Sequence, residues 1–421
     1  MRSKYLVFII LLCAVLPLTY SISSFRFYTL DAGIFILSLY VFLRSFSGGF
    51  KKVIWNRAEK IFLLFILFSF VSAMFSVNKA ESLHIAFLWL RYLVLYVCLR
   101  RILTSFEIRD NAVVNGVLLI LTGLVFIGTI QYLTGSHFGV IAEYLGGDTG
   151  SATTGRFRRV SGTTYNSNVF GAWLIIFSVP LISRSLFSVG KTRPYVIFII
   201  TCAMLLVLTT LSRSSILFAL TVFLAFLLFA RSIGSRARIV SVGFVMLLGF
   251  TVVFFGFTSG GKNTLNDISG RISQFSDRGS QSRLLVLDTI LPVMSDVKNV
   301  VIGVGPNVYY EAAAELGVTN LAYSSNLNLV EKRSGIHNIF LKLFTEFGAI
   351  CLLIFVYFYM KGMLLAHKVY RVDKNIKSMS CLLLLYTILV PAQFTTLFLS
   401  NLVVPLLVIV LAYVYSYDQM S

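Results

Sequence analysis

Charge is scarce in this chain. Asp, Glu, Lys and Arg make up only 13% of its 421 residues, against about 25% in a soluble domain. That shortage excludes an ordinary soluble protein before any segment is inspected. Acidic residues are the rarest part, 17 against 36 Lys and Arg, and there are only 4 His. A metal-dependent transferase built on clustered carboxylates therefore has little support. The phosphate-cradling GxxxxGK[ST] loop and the zinc-binding HExxH pattern are both missing. Cys13, Cys98, Cys202, Cys351 and Cys381 all lie inside apolar runs. They read as small hydrophobes, without metal-ligand spacing or a disulfide framework. No tandem repeat and no nucleic-acid motif is found, so the net charge of +19 does not point to DNA or RNA.

What the chain has is hydrocarbon. Hydrophobic residues make up 57%, with 38 Phe and 20 Tyr, and the mean hydropathy is +0.86. A spanning helix needs roughly 20 mostly apolar residues. Such runs fall at 5–22, 27–44, 61–77, 84–101, 112–133, 168–186, 194–211, 214–231, 239–257, 338–360, 378–398 and 400–417. The expected fold is therefore all-α, a polytopic membrane bundle of about twelve transmembrane helices. Residues such as Lys51, Lys52, Arg57, Lys60, Arg100, Arg101 and Arg109 fall in or beside short loops on one side. A positive-inside bias puts that side, and both termini, in the cytoplasm.

Two segments on the opposite face are long, about 134–167 and about 258–337. A connection of about 80 residues is far beyond the usual length, which marks it as functional and partly folded. The organisation expected is 1–133, N-terminal helices; 134–257, helices with the first outer loop; 258–337, the long outer loop; and 338–421, C-terminal helices. Within the long loop, 282–294 (SRLLVLDTILPVM) spaces Leu284, Leu285, Leu287, Leu291 and Met294 as an amphipathic helix broken near Pro292. A second short helix is expected over 306–316.

The outer loops are basic, carrying Arg156, Arg158, Arg159, Lys262, Arg271, Arg278, Arg283, Lys298, Lys332 and Arg333. They read either as a solvated face or as an anion site, since arginine grips phosphate through a planar fork of donors. Arg213 sits in 209–215 (TTLSRSS) between two apolar helices. It is either a snorkelling interfacial cation or a contact to an anionic substrate. His337 opens HNIFLKLFTEFGAI and can exchange a proton near neutral pH. Glu346, nine residues on, reads as a partner for an arginine. Gly303 and Gly305 in VIGVGPN read as a turn.

RFRRVSGTTYNSNVFGAWL, TTLSRSSIL, RLLVLDTILPVMSDVKNVVIGVGPN and HNIFLKLFTEFGAI, with an arginine after a helix, then a large outer loop with an arginine-led helix, then His-Asn opening the next helix, resemble the O-antigen ligase and polymerase superfamily. The resemblance covers about 156–360. It implies a GT-C-like fold with short helices in a large periplasmic loop, set in the bacterial inner membrane with a periplasmic active site. It implies a glycan donor linked to a polyprenyl diphosphate, and an acceptor that is either the next lipid-linked repeat (polymerase) or lipid A core (ligase). Membrane lipid and a chain-length regulator are further partners, nucleic acid is not one, and no cofactor or metal is expected. By resemblance, Arg213 and Arg283 bind the diphosphate and His337 orients or deprotonates the acceptor hydroxyl. Arg159, Asn168, Arg278 and Asn338 fall to substrate binding. A polymerase is the leading reading, a ligase the second, and a transporter of an anionic or lipid-linked substrate the third.

Overall fold

A computed structural model describes residues 19–22, 25–46, 55–105, 110–134, 160–162, 167–187, 193–210, 212–230, 290–316, 336, 338–374, 376–388 and 404–417. The described chain is helical apart from one hairpin, β1 (Thr19–Ile22) and β2 (Phe25–Tyr28). Its strands pair antiparallel from Thr19 opposite Tyr28 to Ile22 opposite Phe25. TYSI and FRFY are rich in aromatic and β-branched residues, which suit a pleated surface. This corrects the expected spans 5–22 and 27–44 where they meet, because among the described residues the first helix opens at Thr29.

The helices that follow are α1 (Thr29–Phe46), α2 (Arg57–Met74), α3 (Lys79–Ser105) and α4 (Asp110–Thr134). Next come α5 (Ser167–Phe187), α6 (Arg193–Thr209), α7 (Arg213–Ala230), α8 (Val297–Ile302) and α9 (Tyr309–Glu315). After them lie α10 (Ile339–Lys342), a π-helical turn (Leu343–Phe347), α11 (Gly348–Asp373), α12 (Ile376–Thr387) and α13 (Val404–Tyr417). Except for 5–22 and 239–257, every expected span meets one of these helices. The span at 239–257, and 5–22 up to Thr19, lie outside the described residues. Among the described residues, four helices are long and apolar enough to cross a bilayer: Lys79–Thr104, Val114–Thr134, Ser167–Arg184 and Ile339–Asp373. The protein is a membrane protein.

The chain forms two compact units. The first comprises Met1–Ile36, Phe106–Gln274 and Ala366–Pro391. Its axis is α5, which packs against α4, α6, α7 and α12. Phe170, Trp173, Leu174, Ile175, Val179 and Leu181 are all fully buried. A helix apolar on every side belongs in the middle of a bundle, and the unbroken run VFGAWLIIFSVPL is the sequence of such a helix.

The second unit comprises Leu37–Ser105, Phe275–Leu365 and Ala392–Ser421. Here α3 packs against α2 and α13, around a buried cluster of rings. Phe65 contacts Trp89, Phe347 and Phe355 at centroid separations of 5.0, 5.9 and 6.5 Å. Phe358 stacks on Tyr415 at 5.3 Å, and the Tyr415 hydroxyl donates to the Phe358 carbonyl at 2.8 Å. Close approach of α11 and α13 needs Gly362, where a Cβ would come within 2.6 Å of Leu411.

The described part of the long outer segment has its own small core. Ile290, Val293, Val304, Tyr309, Ala312, Ala313 and Ile336 are buried together, with Met294 and Leu341 against them. The helical turn at 290–293 buries Ile290 and Val293 and leaves Leu291 73% exposed. The rest of the expected amphipathic helix, 282–289, lies outside the described residues. The second loop helix is shorter than expected, Tyr309–Glu315, and α8 was not foreseen.

Arg100 is not an exposed loop cation. Its Nε donates to Glu59 Oε1 at 2.7 Å, and both side chains are 1% exposed. Glu59 also accepts from the Asn56 N–H at 3.0 Å while Asn56 caps α2 in return, a reciprocal capping box. Removing one partner of such a pair strands a buried charge. We predict that Arg100→Leu destabilises the protein by about 3 kcal/mol, read as a lowered melting temperature in detergent. Neutralising exposed cations such as Lys79 should change it little.

Candidate functional site

In the first unit, α6 stops at Thr209 and α7 starts at Arg213, and hydroxyl groups fill the gap. The Thr209 and Thr210 hydroxyls donate to the Leu206 and Val207 carbonyls at 2.8 and 2.6 Å. Both carbonyls also share the Thr210 N–H, at 3.1 and 3.3 Å, so the hydroxyls add a second donor to each. Ser212 caps α7: its Oγ accepts the Ser215 N–H at 3.2 Å, satisfying one orphan donor of the first turn. Ser212 Oγ also lies 3.1 Å from Ser214 Oγ. The Ser215 hydroxyl is 2.9 Å from Ser212 Oγ and 3.2 Å from the Asn168 carbonyl, and its single proton serves one of them.

Asn168, an expected substrate contact, is thus a backbone neighbour of the break that precedes Arg213. Gly171, one turn further along α5, explains the closeness. A Cβ there would lie 2.5 Å from Ser215 Oγ and 3.2 Å from Thr210 Oγ1. Val160, which follows Arg159, donates its N–H to the Thr209 carbonyl at 3.3 Å. The structure therefore joins the Val160 and Asn168 backbones to the start of α7, whose first residue is Arg213.

In the second unit, a helix is interrupted at Leu343–Phe347, with Gly348 at φ 83°. The interruption frees carbonyls, and a neighbouring loop takes them. Val304 N–H donates to the Thr345 carbonyl and Gly305 N–H to the Glu346 carbonyl, both at 3.0 Å. The Ser72 hydroxyl adds a bond to the Glu346 carbonyl at 2.9 Å. The Glu346 carboxylate is buried. It lies 3.5 Å from Lys342 Nζ and accepts the Asn307 N–H at 2.9 Å. Its partner is therefore a lysine one turn back and a loop N–H, rather than the arginine expected. Asn307, at φ 63°, also donates its side-chain amide to Glu81 at 2.8 Å.

Glycine is required at this junction. A Cβ on Gly348 would meet the Val301 carbonyl oxygen at 2.3 Å, and one on Gly303 would meet the Glu346 carbonyl oxygen at 2.4 Å. Both have positive φ. The expected turn at VIGVGPN is present, and it serves as a clamp on the broken helix.

Of the remaining expected residues, Asn338 is the N-cap of α10, its Oδ1 accepting the Leu341 N–H at 3.0 Å. Arg159, Arg278, Arg283 and His337 lie outside the described residues. The sequence reading missed the serine cap at 212–215, Gly171, and the clamp of 303–307 on Glu346. The serine cap was legible as a local N-cap spacing, Ser212 to Ser215, whereas what Gly171 and the 303–307 clamp approach is tertiary information.

Residues 196–356 match the family model described as O-Antigen ligase. This bears out the resemblance to the O-antigen ligase and polymerase superfamily. The O-antigen ligase match begins inside α6 and ends inside α11, so it contains both helix interruptions, the start of α7 at Arg213 and the Asn338 cap. It leaves out Arg159 and Asn168. No curated protein matches the chain.

Two glycine substitutions test the geometry. Gly348→Ala should lower the melting temperature sharply, because backbone atoms have nowhere to move and the φ is unsuited to alanine. Gly123→Ala, in α4 with nothing within 4 Å, should hold or raise it, since alanine favours a helix by about 1 kcal/mol. Equal melting temperatures would contradict the backbone clamp.

Proposed function

We propose that this protein is a membrane glycosyltransferase that joins a polyprenyl-diphosphate-linked glycan to an acceptor sugar hydroxyl on the periplasmic face. The observation that carries this is the O-antigen ligase match over 196–356, which includes the start of α7 at Arg213. Both termini are then cytoplasmic, and the segment between α7 and α10 is periplasmic.

The chemistry is a displacement at the anomeric carbon. The acceptor oxygen forms the new bond as the carbon–diphosphate bond breaks, and the polyprenyl diphosphate leaves with the electron pair. Arg213 and Arg283 stabilise the negative charge that grows on the leaving group. His337 takes the hydroxyl proton. Arg159, Arg278, Asn168 and Asn338 bind substrate around them, Asn338 by setting the start of α10. The carrier's hydrocarbon tail stays in the lipid, so the reaction belongs at the membrane edge.

The acceptor in the leading reading is the next lipid-linked repeat, which makes the protein a polymerase. A specific observation favours the second reading, transfer to lipid A core: the matching model is described as a ligase. Transport has less support. Discontinuous transporter helices leave backbone groups open for their ions or substrates, and here the Thr345 and Glu346 carbonyls are already bonded.

Arg213→Ala, Arg283→Ala and His337→Ala should each abolish transfer while membrane insertion persists. Arg→Lys at 213 or 283 should also lower it strongly, since the guanidinium fork is lost. Full activity in any variant removes that residue from the mechanism. Lipopolysaccharide gels of a deletion strain separate the acceptors. A single capping repeat on the core indicates a lost polymerase, and long carrier-linked chains with bare core indicate a lost ligase.

A further inference from the structure

The segment 290–302 buries some of its apolar side chains and leaves others uncovered. Ile290 and Val293 go into the small core of the long outer segment. Leu291, 73% exposed, does not, and neither do Val297, 75% exposed, and Val301, 38% exposed. Val297 and Val301 are four residues apart on α8 and so share a face. Asp296 caps this helix, its Oδ1 accepting the Lys298 N–H at 2.9 Å, and Gly303 ends it. The helix is tied on other sides, so it cannot roll these valines inward. The Asn299 side-chain amide donates to the Val293 carbonyl at 2.8 Å. Just past the helix, the Val304 and Gly305 N–H groups donate to the Thr345 and Glu346 carbonyls.

A contact with α2 sets the level of α8. The two helices pack together, and Lys298 Nζ lies 5.5 Å from the centre of the Phe75 ring. Phe75 is the C-cap of α2 and is 57% exposed. The turn 75–78 leads into α3, which is long and apolar enough to cross a bilayer. Residues 61–78 carry no Asp, Glu, Lys or Arg, and Lys60 and Lys79 flank them. The turn therefore belongs at the membrane face where α3 begins, and α8, held against Phe75, belongs at the same face. An exposed lysine beside an exposed ring suits that level, where the ring meets hydrocarbon and the ammonium meets headgroups.

We propose that 290–302 is an interfacial anchor whose partner is the phospholipid surface. Leu291, Val297 and Val301 enter the edge of the hydrocarbon layer in the leaflet where α3 begins, and Lys298 stands at the level of its phosphates. The segment is far too short to span, so it lies in the interface. Its tied backbone holds the small core of the long segment down on the bilayer. The inference needs only that α3 crosses the membrane, and it stands apart from the transfer reaction.

The test is fluorescence quenching of the full-length protein in phosphatidylcholine vesicles. Val297→Trp and Leu291→Trp each add a reporter at an exposed position, where a larger side chain displaces no core. The signal of the parent, from Trp55, Trp89 and Trp173, is measured in the same vesicles and subtracted. Lipid brominated near the headgroup end of its acyl chains should lower the added emission to about half of that in unbrominated vesicles, since both reporters sit at that depth. If one variant fails to insert, the other carries the same test.

Emission that does not respond to brominated lipid overturns the proposal, and acrylamide in the water then shows what covers the face instead. Quenching as strong as that of N-acetyltryptophanamide would mean that the segment faces water. Emission shielded from acrylamide as well would mean that protein, such as a second copy of this chain, covers it.

Discussion

A backbone N–H or C=O without a partner costs several kcal/mol in hydrocarbon, and this constraint governs both helix interruptions. Each unit of the protein contains a helix interruption among buried residues, Thr209, Thr210 and Ser212 in one and Thr345 and Glu346 in the other. In the first unit the Thr209 and Thr210 hydroxyls donate to the Leu206 and Val207 carbonyls, and the Ser212 hydroxyl oxygen accepts the Ser215 N–H. In the second, the carbonyls of Thr345 and Glu346 are met by the Val304 and Gly305 N–H groups and by Ser72. The demanding glycines follow from the same constraint. Gly171, Gly303 and Gly348 lie where these donors and acceptors must come closer than a Cβ permits.

Irregular backbone in a membrane protein is tolerated where protein surrounds it, and both interruptions lie among buried residues. The O-antigen ligase match runs from inside α6 to inside α11 and therefore spans one interruption in each unit. The charges spent on structure are identifiable. Arg100 is committed to Glu59, and Lys342 to Glu346. Arg213, Arg283 and the 156–159 stretch are the cations that the proposed reaction draws on.

Much of the helical fold was legible because the membrane imposes a length and a composition on every span. The α6 and α7 pair was divided correctly, since TTLSRSS interrupts two apolar runs. The strand hairpin was missed because apolar residues at 19–28 satisfy a hydropathy window as well as a pleat. Glu346 was assigned the wrong class of partner, because a buried carboxylate signals a need for a cation without saying which. The position of Arg213 at a helix start was readable from its sequence. The Ser212 cap on the Ser215 N–H is a local pattern that the reading passed over. The Gln131 oxygen on the 161–162 backbone and the clamp of 303–307 on a helix more than thirty residues later join residues far apart in the chain, and no local pattern encodes them.

The central claim is bond formation from a lipid-linked donor, and reconstitution tests it most directly. Purified protein would be placed in liposomes with a lipid-linked repeat unit labelled separately in its glycan and its prenyl chain. The account predicts glycan lengthening or transfer, with one polyprenyl diphosphate released for each new linkage. Movement of intact donor across the bilayer without any new glycosidic bond would contradict it.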